Sequence, residues 1–276
     1  MVLGTRFSKN VFSVNGKIPF NSMCNFLSED FTAFKYGVEK KVEKAIVANL
    51  NHEDSNYFHF VTEYGFFLSE LKMQGVNLGE FKLVFQGEAE NFPKAVFDIC
   101  RLFEISSENC IFMKGNTILN CEKILLSKTL IRNSKKVADR FAQVVKSLLK
   151  LKFRAQNRHL LIQRAKNRRF IAKDPRKSRL KLEEIQLENV SFKDQVELFA
   201  GAREVWGAHG AGLTNAMFME AGTKINEVFS WGTIDRVVYR YLSSNLDYKS
   251  WMDNYSTKSP SSDLRFNKIR LFKQLV

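Results

Sequence analysis

Apolar residues recur along this chain in two patterns, short continuous runs and longer stretches with a helical period. Six short runs are rich in β-branched and aromatic residues, which is typical of buried strands. These runs are KAIVANL (44–50), FKLVFQG (81–87), EKILLSK (122–128), HLLIQRA (159–165), REVWGAH (203–209) and INEVFSW (225–231).

Three intervening stretches carry apolar residues at spacings of about three and four, which predicts helices. They are FHFVTEYGFFLSELKMQG (58–75), FPKAVFDICRLF (92–103) and SKKVADRFAQVVKSLLKLKF (134–153). Strands and helices that alternate in this way predict an α/β fold with parallel sheets.

The length of 276 residues suits two compact halves of roughly 130 residues each. The helical stretch at 134–153 is followed by the polar segment RAQNR, where we expect the junction. The sequence therefore predicts an N-terminal domain over 1–155 and a C-terminal domain over 156–250. Residues 251–276 form a predicted extension that packs back on the N-terminal domain, and their last segment, FNKIRLFKQLV, is a helix or a strand.

The charge balance points to an anionic partner. Forty-three Lys and Arg residues against 29 Asp and Glu give a formal net charge of +14, which favours nucleic acid, phosphorylated small molecules or an acidic membrane surface. Basic residues crowd the stretch from Arg132 to Lys181, where a solvated helix face and a basic loop are an equally good explanation. The aromatic residues lie mainly inside the apolar runs, so we expect no nucleic-acid binding.

Targeting signals and cysteine chemistry add little. No run approaches the roughly 18 apolar residues that span a bilayer, and the first residues lack the apolar centre of a signal peptide. We therefore expect a cytoplasmic protein. The four cysteines are scattered without zinc-ligand spacing, so we expect reduced core thiols.

The most distinctive stretch is GAHGAGLTN at 207–215, which lies between a predicted strand and a helical segment. Glycines allow a backbone to approach a ligand closely, and the first amides of a helix attract anions. The spacing matches neither the dinucleotide-binding nor the P-loop fingerprint. A purely structural turn is the alternative, in which His209 is a turn or core residue.

These residues also carry a family resemblance. The segment AREVWGAHGAGLTNAMFMEAGTKINEVF (202–229) resembles the signature of glycosyltransferase family 61. The same holds, in family order, for SNYFHFVTEYGFFLSEL (55–71), for LLIQRAKNRR (160–169) and for VSFKDQVELFAGA (190–202) with its central Gln. One departure is the loop after Arg164, where the spacer is short and Lys173-Asp174 replaces the usual Asn-Glu.

The resemblance implies a GT-B-like fold, in which two Rossmann-like domains face each other across a cleft. It also implies inverting transfer of a sugar from a nucleoside diphosphate to an acceptor hydroxyl, with the donor on the C-terminal domain. We expect backbone amides, His209 and an arginine to stabilise the leaving diphosphate, without a metal or other cofactor. Thr214 and Asn215 either cap the helix or contact the donor, and Glu227 binds the ribose hydroxyls. The expected donor-side residues are Arg164, Arg169, His209, Gly210, Ala211, Gly212, Leu213, Thr214, Asn215 and Glu227.

The acceptor hydroxyl must lose its proton to a base. His59, Glu63 and Asp54 are the candidates, and His59 is preferred because it follows Asn56-Tyr57, the expected acceptor-side residues. Glu63 lies four residues after His59, so the two share a helix face; the alternative is that His59 only packs there.

The expected acceptor is a glycan or a lipid-linked glycan at an anionic membrane surface, in surface polysaccharide synthesis. The rival interpretations are a basic nucleic-acid-binding protein and a catalytically inactive family member.

Overall fold

The computed structural model of the chain describes 11–14, 38–47, 56–113, 117–126, 135–152, 155–165, 170, 181–230, 238–242, 245–253 and 269–271. Its contacts divide the chain into two compact units, Met1–Arg132 and Asn133–Val276. Each unit has its own sheet of mainly parallel strands with helices, as expected for Rossmann-like domains. The predicted α/β class is therefore confirmed.

The sheet of the first unit has five strands in the order β1-β5-β2-β3-β4, and all neighbours are parallel. The strands are β1 (Val11–Val14), β2 (Val38–Val47), β3 (Lys82–Gln86), β4 (Cys110–Met113) and β5 (Thr117–Leu126). Phe85 of β3 packs its ring 5.3 Å from that of Tyr64 and 5.9 Å from that of Phe60, centroid to centroid. Aromatic rings of the helical segment after β2 thus cover this sheet.

The helices of the first unit follow the predicted stretches. The stretch that begins at Tyr57 changes its winding twice, since a π-helical segment, Phe60–Gly65, separates two α-helices. The α-helices are α1 (Tyr57–His59), α2 (Phe66–Met73) and α3 (Lys94–Leu102).

The sheet of the second unit has six strands in the order β11-β10-β9-β8-β6-β7. Neighbours are parallel except β10 and β11, which are antiparallel. The strands are β6 (Arg158–Gln163), β7 (Glu183–Gln186), β8 (Ala202–Ala208), β9 (Lys224–Ser230), β10 (Asp247–Asp253) and β11 (Ile269–Leu271). The helices are α4 (Lys135–Leu148), α5 (Phe192–Ala200), α6 (Val238–Leu242) and a 3₁₀-helix, Ala211–Phe218.

All six predicted strands are present, but the division of the chain differs from the expected junction near 154–158. Helix α4 belongs to the second unit because its apolar face packs there, with the ring of Phe141 6.0 Å from that of Phe218. The C-terminal extension differs as well. Its described strand, β11, pairs with β10 and belongs to the second unit.

Alternation along β8 sends side chains to two faces of the second sheet. Trp206 and Ala208 lie on one face, in an apolar cluster with Val228 of β9. Gly207 lies on the other face, and its partner in the register of β9 is Glu227. Across the described residues, no helix is long and apolar enough to cross a membrane.

Candidate active site

The glycine stretch begins with the last two residues of β8 and continues beyond the carboxyl end of that strand. The N–H of His209 donates to the carbonyl of Val228 at 2.8 Å, and that of Leu213 donates to the carbonyl of Gly210 at 3.0 Å. Within the described parts of the chain, no backbone carbonyl accepts from the amides of Gly210, Ala211 and Gly212, and these three residues are partly exposed. Three neighbouring amides are thus available to an anion.

The helical segment predicted after the glycines is present, but it is wound more tightly than an α-helix. It is a 3₁₀-helix that begins at Ala211, inside the glycine stretch. The expected contact of Leu213 with a donor is not supported, because its amide is used inside the turn and its side chain is buried.

At two positions in this stretch a side chain would collide with a neighbouring residue, which explains why each is a glycine. A Cβ on Gly207 would lie 2.6 Å from Cδ2 of Leu213, so the missing side chain lets the 3₁₀-helix pack against β8. A Cβ on Gly210 would lie 2.1 Å from Nη1 of Arg164. The guanidinium of Arg164, which follows β6, therefore rests on the glycine backbone and donates to the carbonyl of His209 at 3.4 Å.

The imidazole of His209 is fixed from three sides. Its Nδ1 donates to Oε1 of Glu227 at 2.5 Å. The ring stacks on Phe229 at 5.1 Å between centroids and meets the edge of Tyr239 of α6 at 5.4 Å. Only 12% of the His209 side chain is exposed. Because a carboxylate can only accept, Nδ1 carries a proton, and Nε2 is the remaining polar atom of the ring.

Glu227 is the buried anion of this site, with 0% of its side chain exposed. Its second oxygen, Oε2, accepts a hydrogen bond from the hydroxyl of Tyr248 at 2.5 Å. Burial, followed by the nearby Glu227 charge, raises the pKa of Tyr248 far above its usual range, so the phenol keeps its proton. In this structure the Glu227 oxygens contact His209 and Tyr248, and the expectation that Glu227 binds ribose stays a prediction.

Thr214 and Asn215 are fully buried and neither caps the helix, because the N-cap is Gly210, which has no side chain. Nδ2 of Asn215 donates to Oε1 of Gln195 at 2.8 Å. Gln195 in turn donates to the carbonyls of Leu187 at 3.1 Å and Val190 at 2.9 Å. Asn215 therefore ties the 3₁₀-helix to α5, and the buried position of both side chains does not support the expected donor contacts.

A second cluster lies in the first unit, at the start of its first helix. The side-chain oxygen of Asn56 caps this helix by accepting from the amide of Phe58 at 3.0 Å. Nδ1 of His59 lies 2.9 Å from Oε1 of Glu63, so the predicted shared face is confirmed. The side chain of Glu63 is 2% exposed and that of His59 is 21% exposed, whereas Tyr57 is half-buried.

Two predicted residues, Asp54 and Arg169, lie outside the described residues. In the part of the chain that the structure describes, there is no group of three or more His, Cys, Asp or Glu side chains able to hold a metal ion. Sequence reasoning missed Phe229, Tyr239 and Tyr248. The signal for Tyr248 was the alternation in DYKSWMD, but only the strand order shows that this strand lies beside β9.

The family model for Glycosyltransferase 61 matches residues 57–226, which is more than half of the chain. The chain belongs to glycosyltransferase family 61. The family implies a glycosyltransferase, as the sequence resemblance predicted. A search of curated proteins found no match to this chain. The region matched to family 61 contains His59, Glu63, Arg164 and His209, and it ends one residue before Glu227.

Proposed function

We propose that this family 61 protein transfers a sugar from a nucleoside-diphosphate donor to a hydroxyl of a glycan acceptor, with inversion at the anomeric carbon. One observation carries the proposal. His209, the guanidinium of Arg164 and the amides of Gly210, Ala211 and Gly212 converge at the carboxyl end of two adjacent parallel strands. Ligands of open α/β sheets bind at that end.

Negative charge grows on the diphosphate as the glycosidic bond breaks, and pre-placed donors stabilise it. The three amides supply fixed dipoles, and Arg164 supplies a permanent charge and a planar fork for phosphate oxygens. His209 contributes when the ring carries a proton on Nε2 as well as on Nδ1. The carboxylate of Glu227, 2.5 Å from Nδ1, holds that nitrogen and leaves Nε2 for the diphosphate.

The acceptor hydroxyl needs a base, and we assign this role to His59. Glu63 holds Nδ1 of the imidazole at 2.9 Å, which leaves Nε2 to take the proton. Asn56 serves the same site indirectly because its side chain caps the helix that carries His59. In this proposal the second unit binds the donor and the first unit supplies the base, a division of labour typical of GT-B enzymes.

The net charge of +14 supports a proposal for the acceptor class, because basic residues are attracted to an anionic membrane surface. We propose a lipid-linked glycan acceptor in surface polysaccharide synthesis. Sedimentation with anionic and neutral vesicles tests this step. Binding to the anionic vesicles alone is expected, and equal binding to both kinds would contradict it.

A thermal-shift screen against nucleoside diphosphates and nucleotide sugars tests the donor site, with a short single-stranded RNA as control. A ligand at about 100 times its dissociation constant adds about 2.7 kcal/mol to the free energy of unfolding. That raises the midpoint by several degrees. We expect one nucleotide family to shift wild type and the shift to shrink in Arg164→Ala. A shift with RNA alone, lost in salt, would instead support a nucleic-acid-binding protein.

Transfer itself is measured with the donor that the screen identifies. Incubation with acceptor is expected to release nucleoside diphosphate, and NMR of the product is expected to show an inverted anomeric configuration. Donor binding without any transfer to a range of glycan acceptors would indicate the inactive family member.

A further inference from the structure

The hydroxyl of Tyr248 completes a chain of hydrogen bonds that runs through Glu227 to His209. Tyr248 lies outside the region that matches the family. We propose that Tyr248 is a positioning residue: its hydroxyl holds Glu227 so that Glu227 fixes the tautomer and orientation of the His209 imidazole. The catalytic consequence rests on the proposed function, whereas the positioning itself does not.

Strand register explains how the three side chains meet. Tyr248 of β10 is paired with Ile225 of β9, so it shares a sheet face with Ile225 and, two residues later, with Glu227. His209 follows directly after β8, the neighbour of β9 on its other side. The chain of hydrogen bonds from Tyr248 to His209 therefore runs across three adjacent parallel strands, from β10 through β9 to the end of β8.

The two bonds of Glu227 depend on each other. The carboxylate is fully buried, and its oxygens take one donor each, the Tyr248 hydroxyl at 2.5 Å and His209 Nδ1 at 2.5 Å. Without the hydroxyl, Oε2 would be buried without that donor, which is costly for a charged group. The carboxylate would then turn or recruit water, and its alignment with the imidazole would be lost.

The contacts around the His209 ring make its tautomer a sensitive measure of how firmly Glu227 is held. Phe229 stacks on the ring, Tyr239 meets its edge, and the guanidinium of Arg164 donates to the His209 carbonyl. Glu227 contacts Nδ1 directly and is thus the group that we infer to favour Nδ1 over Nε2 as the proton-bearing atom. Whatever loosens Glu227 changes the balance of tautomers.

The test is ¹⁵N NMR of the imidazole in Tyr248→Phe, at a pH where the ring is neutral. Wild type is expected to show the Nδ1–H form of His209. The variant is expected to show a mixture with Nε2–H, and an Nδ1 proton that exchanges with water about ten times faster. If the protein is an active transferase, kcat falls by about tenfold with a smaller change in KM, because an imidazole that is no longer held in one orientation stabilises the leaving diphosphate less in the transition state.

Trp251→Phe is the matched control. Trp251 lies on the same strand but on the opposite face, where its indole N–H donates to Oδ1 of Asn226 at 2.9 Å. Like Tyr248→Phe, this variant removes a side-chain hydrogen-bond donor from β10. It therefore reproduces the loss of stability that such a removal causes, without touching Glu227. The His209 tautomer is expected to stay as in wild type.

A second variant covers the case in which Tyr248→Phe does not fold. Replacing Tyr248 with 3-fluorotyrosine keeps the hydroxyl and makes it a stronger donor, so the Nδ1–H form is expected to stay dominant and its proton to exchange at a changed rate. An unchanged spectrum of His209 in every folded Tyr248 variant would overturn the inference. A shifted spectrum in a protein that transfers no sugar would support the positioning role and refute the proposed function.

Discussion

Gly210→Ala tests whether the glycine turn exists to admit the Arg164 guanidinium. The new Cβ would lie 2.1 Å from Nη1, which must retreat by about 1 Å or more to reach a normal contact of about 3.5 Å. The backbone itself is not strained, since Gly210 has an extended conformation with φ 163° and ψ 168°. The guanidinium is the end of a flexible side chain, so it can move away while the fold persists.

Gly210→Ala is expected to change the affinity for diphosphate much more than the free energy of unfolding. The displaced hydrogen bond, Arg164 Nη1 to the His209 carbonyl, is long at 3.4 Å, so the free energy of unfolding should change by less than about 0.5 kcal/mol. A hydrogen bond between charged groups contributes about 1.5–3 kcal/mol. Loss of the Arg164 contact should therefore weaken diphosphate binding by roughly 10- to 100-fold, at 1.4 kcal/mol per tenfold.

The assay is calorimetric titration of nucleoside diphosphate into wild type, Gly210→Ala, Arg164→Ala and the double variant, with chemical denaturation of each. If Gly210→Ala acts through Arg164, the double variant binds no more weakly than Arg164→Ala. Additive losses would refute the steric argument. So would wild-type affinity in Gly210→Ala.

Three further predictions concern the residues around the two clusters. His209→Ala is expected to lower kcat by about 10²- to 10³-fold while circular dichroism and the unfolding midpoint change little; near wild-type turnover would remove His209 from the mechanism. His59→Gln is expected to abolish most turnover and the rise of rate with pH that a neutral imidazole base produces, and an unchanged rate and pH profile would transfer the role to a carboxylate. Gly207→Ala is expected to destabilise the second unit by about 1–3 kcal/mol, because Leu213 must leave its position 2.6 Å from the new Cβ; denaturant midpoints equal to wild type would contradict this.

The sequence predicted those parts of the fold that depend on local pattern. Short β-branched runs such as FKLVFQG became strands because their composition and length alone favour buried strands. Helix α4 was also predicted, but the sequence placed it in the N-terminal domain, whereas it lies in the second unit. An apolar helix face does not say which sheet it covers. That information is in the packing of Phe141 on Phe218, two residues far apart in the chain.

The candidate site shows the same limit. His209 and the amides after it were found because glycines between a strand and a helix have a local meaning. The i and i+4 spacing of His59 and Glu63 was sufficient for the same reason. Tyr248 and the partner role of Glu227 were missed because they depend on the order of β8, β9 and β10 in the sheet, which no single segment specifies.

The π-helical segment Phe60–Gly65 lies directly after His59 and carries Phe60 and Tyr64, the rings that pack on Phe85 of the first sheet. A π-turn corresponds to one extra residue in an α-helix, and one residue of α-helix is a rotation of about 100°. Deletion of a single residue here would restore regular winding and would turn His59 by about that angle relative to the residues after the segment. The direction of the proposed base therefore depends on the irregular winding of the same segment that carries the aromatic contacts to the first sheet.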